Sequence, residues 1–180
     1  MIVSRQKMRR AAVVLTPAES KRLIAKAVVK LDLVRNALRN GIVVVSVGTT
    51  CLCILEELMQ KRLRIDDHLS GVILPGRLCI SRGKKRHVQT QKHAGVWIFE
   101  KGHLVPGLSL GNILPQMTNT DVFIKGANAL DPSRKAGVLL AGGTGGTIGK
   151  VLPTIYARGI NLIIPVGLEK TIPTTGVCTK

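Results

Sequence analysis

The sequence predicts an α/β fold: an open, mostly parallel, Rossmann-like sheet with helices on both faces. Three observations carry this. Apolar runs rich in β-branched residues, at 42–45, 121–124 and 161–164, alternate with segments of helical period. Loops of small residues lead from strands into helices, at 46–50 and 141–149. The 180 residues are 45% hydrophobic and 21% charged, with 19 Gly and 8 Pro, the balance of one globular domain, which excludes a disordered chain, collagen or a coiled-coil rod. Residues 1–180 read as a single domain with a basic N-terminal arm at 1–16 and a short C-terminal tail at 174–180.

The first helix starts at Thr16-Pro17-Ala18-Glu19, where a Thr cap, Pro in the first turn and Glu three residues on satisfy free amide donors. It is expected to run to about Asn40. Leu23, Ala27, Leu31, Val34 and Leu38 form its apolar face, and Gly41 stops it. Ile42-Val43-Val44-Val45 reads as a strand buried on both faces, and Ser46-Val47-Gly48-Thr49-Thr50 turns it into a helix over 51–62. Further strands are expected at 72–74, 95–99, 121–124, 137–140 and 161–164, with a helix between the glycine run and Arg158.

Charge narrows the partners. Lys and Arg number 27 against 10 Asp and Glu, a net charge of +17, while aromatic residues are only 2% of the chain. An anionic partner fits; one gripped by base stacking does not. Cys51-Leu52-Cys53 lacks the gap of a zinc knuckle, and no secreted disulfide pattern is present, so small buried hydrophobes inside the cell, in the cytoplasm, are the expectation. His68, His87, His93 and His103 show no metal spacing, and neither metal nor cofactor is expected. The longest apolar stretch, 42–55, is broken by Ser46, Gly48, Thr49 and Thr50 and falls short of the roughly 20 residues of a membrane span.

The sharpest motif is Ala141-Gly142-Gly143-Thr144-Gly145-Gly146-Thr147-Ile148-Gly149, after a strand and opening a helix. Its glycines let backbone amides approach an anion, and the helix start adds partial positive charge and free N–H donors. It is not a Walker loop, because no Gly-Lys-Ser/Thr follows. The dinucleotide fingerprint also fails, because Pro165 and Val166, not an acid, end the next strand. Since ligands of open α/β sheets lie beyond the carboxyl ends of strands, Gly48, Thr49 and Thr50 are expected to share a crevice with Gly142, Gly143, Thr144, Gly145, Gly146 and Thr147.

The run Asp121-Val122-Phe123-Ile124-Lys125-Gly126-Ala127-Asn128-Ala129-Leu130-Asp131, the glycine loop and Ala157-Arg158-Gly159-Ile160-Asn161-Leu162-Ile163-Ile164-Pro165-Val166 resemble a known C-terminal half. It is that of the superfamily grouping ribose-5-phosphate isomerase, glucosamine-6-phosphate deaminase, CoA transferases, DeoR-type regulators and initiation factor 2B-like proteins. Ser46-Val47-Gly48-Thr49-Thr50 resembles the first phosphate loop of that superfamily. The resemblance implies a phosphate pocket for a sugar phosphate, nucleotide or CoA-like molecule, isomerase or transferase chemistry, and homo-oligomers. Where its isomerases carry the Asp of a Gly-Ala-Asp motif, this chain has Asn128, which cannot take a proton at neutral pH. Asp131 is then the candidate for proton transfer, Lys125 for charge neutralisation and Asn128 for reading a ligand hydroxyl. The competing expectation is a non-enzymatic, ligand-sensing or nucleic-acid-binding regulator that uses Arg82, Lys84, Lys85 and Arg86, with the basic start of the chain, on phosphates.

Overall fold

The computed structural model describes residues 11–63 and 95–175 in full, and 71–74 and 77–80 as backbone. Among these residues five α-helices and nine strands follow in the order α1 (Pro17–Val28), α2 (Asp32–Asn40), β1 (Ile42–Ser46), α3 (Thr49–Met59), β2 (Gly71–Leu74), β3 (Arg77–Ile80), β4 (Val96–Glu100), β5 (His103–Leu104), α4 (Leu110–Ile113), β6 (Val122–Ile124), β7 (Ala129–Leu130), β8 (Ala136–Gly137), α5 (Gly146–Arg158) and β9 (Asn161–Ile163). The main sheet has the order β5-β4-β1-β6-β9. Its centre, β1, β6 and β9, is parallel, whereas β4 lies antiparallel to β1 and β5 antiparallel to β4. The sheet is therefore mixed, and the expected strand at 95–99 runs opposite to its neighbour.

Period-two alternation sorts the strand residues between two cores. Val43, Val45, Trp97, Phe99, Val122 and Ile124 pack with Ala25, Val28, Val34, Ala37, Ile54 and Leu55 of α1, α2 and α3. Ile42, Val44, Val96, Ile98 and Phe123 face the other way, onto Ile113, Met117, Ile148, Val151 and Ile155 around α4 and α5. Helices thus cover both faces, and the unbroken aliphatic run of β1 is explained because every one of its residues is buried.

The single helix expected over 16–40 is two helices. The capping box at Thr16 and Glu19 forms as expected, but α1 ends at Val28, and Leu31 takes an extended conformation, φ −60° and ψ 132°, before α2. The break rotates the buried face onto Ala25, Val28, Val34 and Ala37, leaving Leu23 and Leu31 exposed. Gly41 does more than end α2: a Cβ there would strike the Asp121 carboxylate, whose Oδ1 accepts from Ile42 N at 2.7 Å and whose Oδ2 accepts from Thr118 N at 2.6 Å. That carboxylate ties the start of β1 to the turn before β6.

The strand expected at 137–140 is the second departure. Ala136 and Gly137 pair only with Leu130 and Ala129, in a small hairpin outside the main sheet. Leu139 N donates instead to Asn128 Oδ1 at 2.9 Å, so a side chain takes the place of a ladder partner.

Candidate functional site

The parallel strands β1 and β6 both deliver the chain to one edge of the sheet. From β1 the chain passes through Gly48, at φ 148° and ψ 157°, a backbone conformation that favours glycine, into α3. No side chain caps α3, so the amides of its first turn are left to a ligand or water. From β6 the chain passes through Lys125, Gly126, Ala127 and Asn128 into the β7–β8 hairpin. It returns to β9 through α5, which runs antiparallel to both strands and so begins on the same edge. The segment 125–128 joins the two sides: Gly126 lies over Cys51, with a Cβ there only 3.8 Å from its Sγ, and Asn128 holds Leu139, two residues before the glycine run.

Two ammonium groups converge on this segment. Lys125 Nζ donates to Gly126 O at 3.1 Å, and Lys170 Nζ donates to Ala127 O at 2.5 Å, so they bond consecutive carbonyls. Among the described residues neither forms an ion pair with a carboxylate. Burial lowers the pKa of Lys125 from its ordinary value. Burial likewise lowers that of Lys170, and the charge of Lys21 adds to the effect. Lys21 itself pairs with Glu169 at 3.8 Å.

Behind the lysines sit small polar groups. Cys51 is wholly buried, 3.9 Å from Ser46 Oγ. Burial pushes its thiol up against the opposing influence of Ser46, so it is not a thiolate nucleophile at neutral pH. Next to it in sequence, Thr50 is 2% exposed and its hydroxyl has no hydrogen-bond partner among the described residues. Buried hydroxyls are normally satisfied, and this one stands in the uncapped first turn of α3.

The glycine run opens α5 as expected. Gly142, Gly145 and Gly146 have φ of 73°, 69° and 67°, which explains why glycines occupy the turn. A Cβ at Gly145 would lie 3.1 Å from Gly149 Cα, whereas Gly142 and Gly143 face open space. Gly145 caps α5 with no side-chain bond, and Gly142, Gly143 and Thr144 are exposed.

Asp131 stands apart from the lysine cluster in function. Its carboxylate accepts from Ser133 Oγ at 2.6 Å, Lys135 N at 2.9 Å, and Thr175 Oγ1 and N at 2.6 and 3.3 Å. These bonds, led by that from Ser133, hold its carboxyl far below the usual carboxylate range. So weak a base suits turn-holding, not the proton transfer expected of it. Asn128 likewise spends its carbonyl oxygen on Leu139. Arg82, Lys84, Lys85 and Arg86 lie outside the described residues.

Sequence reasoning singled out Lys125 and Thr50 but passed over Lys170. Its only sequence signal is a lysine placed soon after the last parallel strand, and the chain's return to Ala127 cannot be read from spacing. Among the described residues no three His, Cys, Asp or Glu side chains gather as a metal site, and no helix is long and apolar enough to cross a membrane. Compared with protein-family models, curated proteins and solved structures, the chain matches none.

Proposed function

We propose that this domain binds a phosphorylated or similarly anionic small molecule at the carboxyl edge of its parallel strands. The anion sits against the first turn of α3, takes a hydrogen bond from Thr50, and is neutralised by Lys125 and Lys170. The amides of the 142–147 loop lie on the same edge, available to a second polar part of the ligand. One observation carries the reading: a buried hydroxyl with no hydrogen-bond partner among the described residues, in a helix turn that no side chain caps, on the sheet edge where two partly buried lysines form no ion pair with a carboxylate among the described residues. Each feature alone is costly to a folded chain, and a bound dianion relieves them together. This placement follows the general logic of Rossmann-like sheets, and it agrees with the phosphate pocket that the superfamily resemblance implies. The assignment is to binding; with Asp131 committed to its turn, no proton-transfer step is assigned.

The test is equilibrium unfolding with and without ribose 5-phosphate and methyl phosphate, for the wild type and for Lys125→Met and Lys170→Met. Anion-dependent stabilisation that each variant sharply reduces is the expected result. Equal stabilisation of all three proteins refutes the site.

A further inference from the structure

α1 and α3 share one apolar core, through Ala25 and Val28 on the first and Ile54 and Leu55 on the second. Alongside that core they border a trough of about 870 Å³. On the α3 side it is lined by Thr49, Leu52, Cys53 and Glu56, a stripe at helical spacing that spans about 10 Å at 1.5 Å per residue. None of Thr50, Lys125 or Lys170 lines it, so it is separate from the anion site.

The polarity of the trough is layered. Leu52 and Cys53, at 6% and 9% exposure, make a recessed apolar floor, and Leu23, 58% exposed, makes an apolar wall that the rest of the described protein leaves open. Lys26 and Arg62 are exposed and form a charged rim, with Lys21 and Arg22 also along the trough. The carboxylates among its lining residues are Glu19 and Glu56, and both are engaged. Glu19 accepts from Thr16 N and Oγ1 at 2.7 Å, and Glu56 holds Arg22, Arg62 at 3.5 Å and Leu63 N at 2.8 Å. Lys26 forms no ion pair among the described residues.

We infer that this trough docks an acidic amphipathic helix of a partner protein, with apolar side chains on Leu23, Leu52 and Leu63 and carboxylates beside Lys26 and Arg62. A groove between two helices, apolar at its base, is the receiving half of helix-in-groove recognition. The two layers match the two faces of such a helix: its apolar stripe meets the floor and wall, and its acids meet the cations at the water's edge. Charges on a solvated rim select and steer a partner more than they tighten it, and the net charge of +17 acts in the same direction. That charge also disfavours a second copy of this chain as the occupant. A free small molecule fits less well, because small-ligand sites bury about 70–90% of their ligand, and this trough has an open wall.

Fluorescence anisotropy on the full chain tests the inference with a labelled helical peptide of about 15 residues, ~22 Å long, carrying leucine at every third and fourth position and glutamate elsewhere. Matched peptides carry serine for leucine, or lysine for glutamate. The leucine–glutamate peptide should bind, and both matched peptides should bind about tenfold more weakly or worse. Leu23→Asp and Lys26→Glu, both at exposed positions, should each weaken binding about fivefold or more without moving the urea midpoint by more than a few tenths molar. No binding of the leucine–glutamate peptide, or binding that neither variant weakens, overturns the inference. Equal binding of the serine peptide reduces the trough to a general polyanion surface, and displacement of the peptide by oligouridine of about 12 nucleotides at equal concentration assigns it to nucleic acid; either result overturns the inference as well.

Discussion

Replacing Thr50 by valine separates stability from binding, because the two should move in opposite directions. Thr50 is 2% exposed and its hydroxyl has no partner among the described residues. Burying a hydroxyl without a hydrogen bond costs about 1–3 kcal/mol in proteins. Valine keeps the shape of threonine and loses only a few tenths of a kcal/mol in helix propensity. The ligand-free variant should therefore be more stable by about 1 kcal/mol, which for a chain of 180 residues raises Tm by about 2–4 °C. With ligand the order changes. At a hundred times the wild-type Kd the wild type gains about 2.7 kcal/mol. Loss of one hydrogen bond to a charged group costs about 1.5 kcal/mol or more, a tenfold weaker Kd. The variant then gains only about 1.4 kcal/mol at the same ligand concentration. Urea unfolding of both proteins, with and without methyl phosphate, reads both quantities. If Thr50→Val unfolds at lower urea than wild type and keeps its full ligand shift, the hydroxyl is satisfied within the fold and the argument for the site collapses.

Three further outcomes follow from the same geometry. Because burial lowers the pKa values of Lys125 and Lys170, their protonated forms are lost at a pH below the ordinary lysine value of 10.5. Phosphate affinity, measured above about pH 7.5 where the ligand stays dianionic, should fall as pH rises, and the Lys125→Met/Lys170→Met double variant should show a weak, flat profile. For Asp131 the folded carboxyl lies below the ordinary 3.8, so its stabilisation is complete above that value and drains away as pH falls toward the folded one. Asp131→Asn should lower the urea midpoint at neutral pH and flatten its acid limb between pH 4 and 2; an unchanged limb would assign the acid sensitivity to other carboxylates. Gly145→Ala places a Cβ at φ 69° and 3.1 Å from Gly149 Cα, and should cost about 1–2 kcal/mol by thermal unfolding, whereas a neutral effect would mean that the turn relaxes freely.

How far the sequence revealed this molecule depended on the range of the interactions involved. The run 42–45 announced a doubly buried strand because its chemistry is local, and the Thr16-Glu19 cap did the same for the start of α1. The end of α1 was hidden because the apolar period continues through Leu31, so periodicity could not register a change of direction between two helices. The run 137–140 is apolar like a sheet strand, but Gly137 pairs with Ala129 in a small hairpin and Leu139 N donates to the Asn128 side chain eleven positions back, and no residue pattern distinguishes these bonds from a place in the main sheet. Strand direction was equally out of reach: 95–99 has the composition of a strand either way up. At the site, Thr50 and Lys125 were legible because they flank strand ends. Asp131 was legible only as an acid, and its four hydrogen bonds, two from Thr175, convert a candidate base into a turn anchor. Lys170 joins the site through a contact 43 residues away.

The middle position of β1 has a consequence for how the chain is made. Its antiparallel partner β4 begins fifty residues after β1 ends, and its parallel partner β6 is joined to it by the Asp121 bond to Ile42, 79 residues apart. During synthesis at about 5–20 residues per second, β1 and its covering helices spend several seconds outside the ribosome with both strand edges unpaired. Among the described strands the central one is thus made first, and its second edge is covered only once β6 follows. The folding rate should be governed by closure of these long loops, not by helix formation, and the nascent N-terminal third is the part of this protein most in need of protection from its own neighbours.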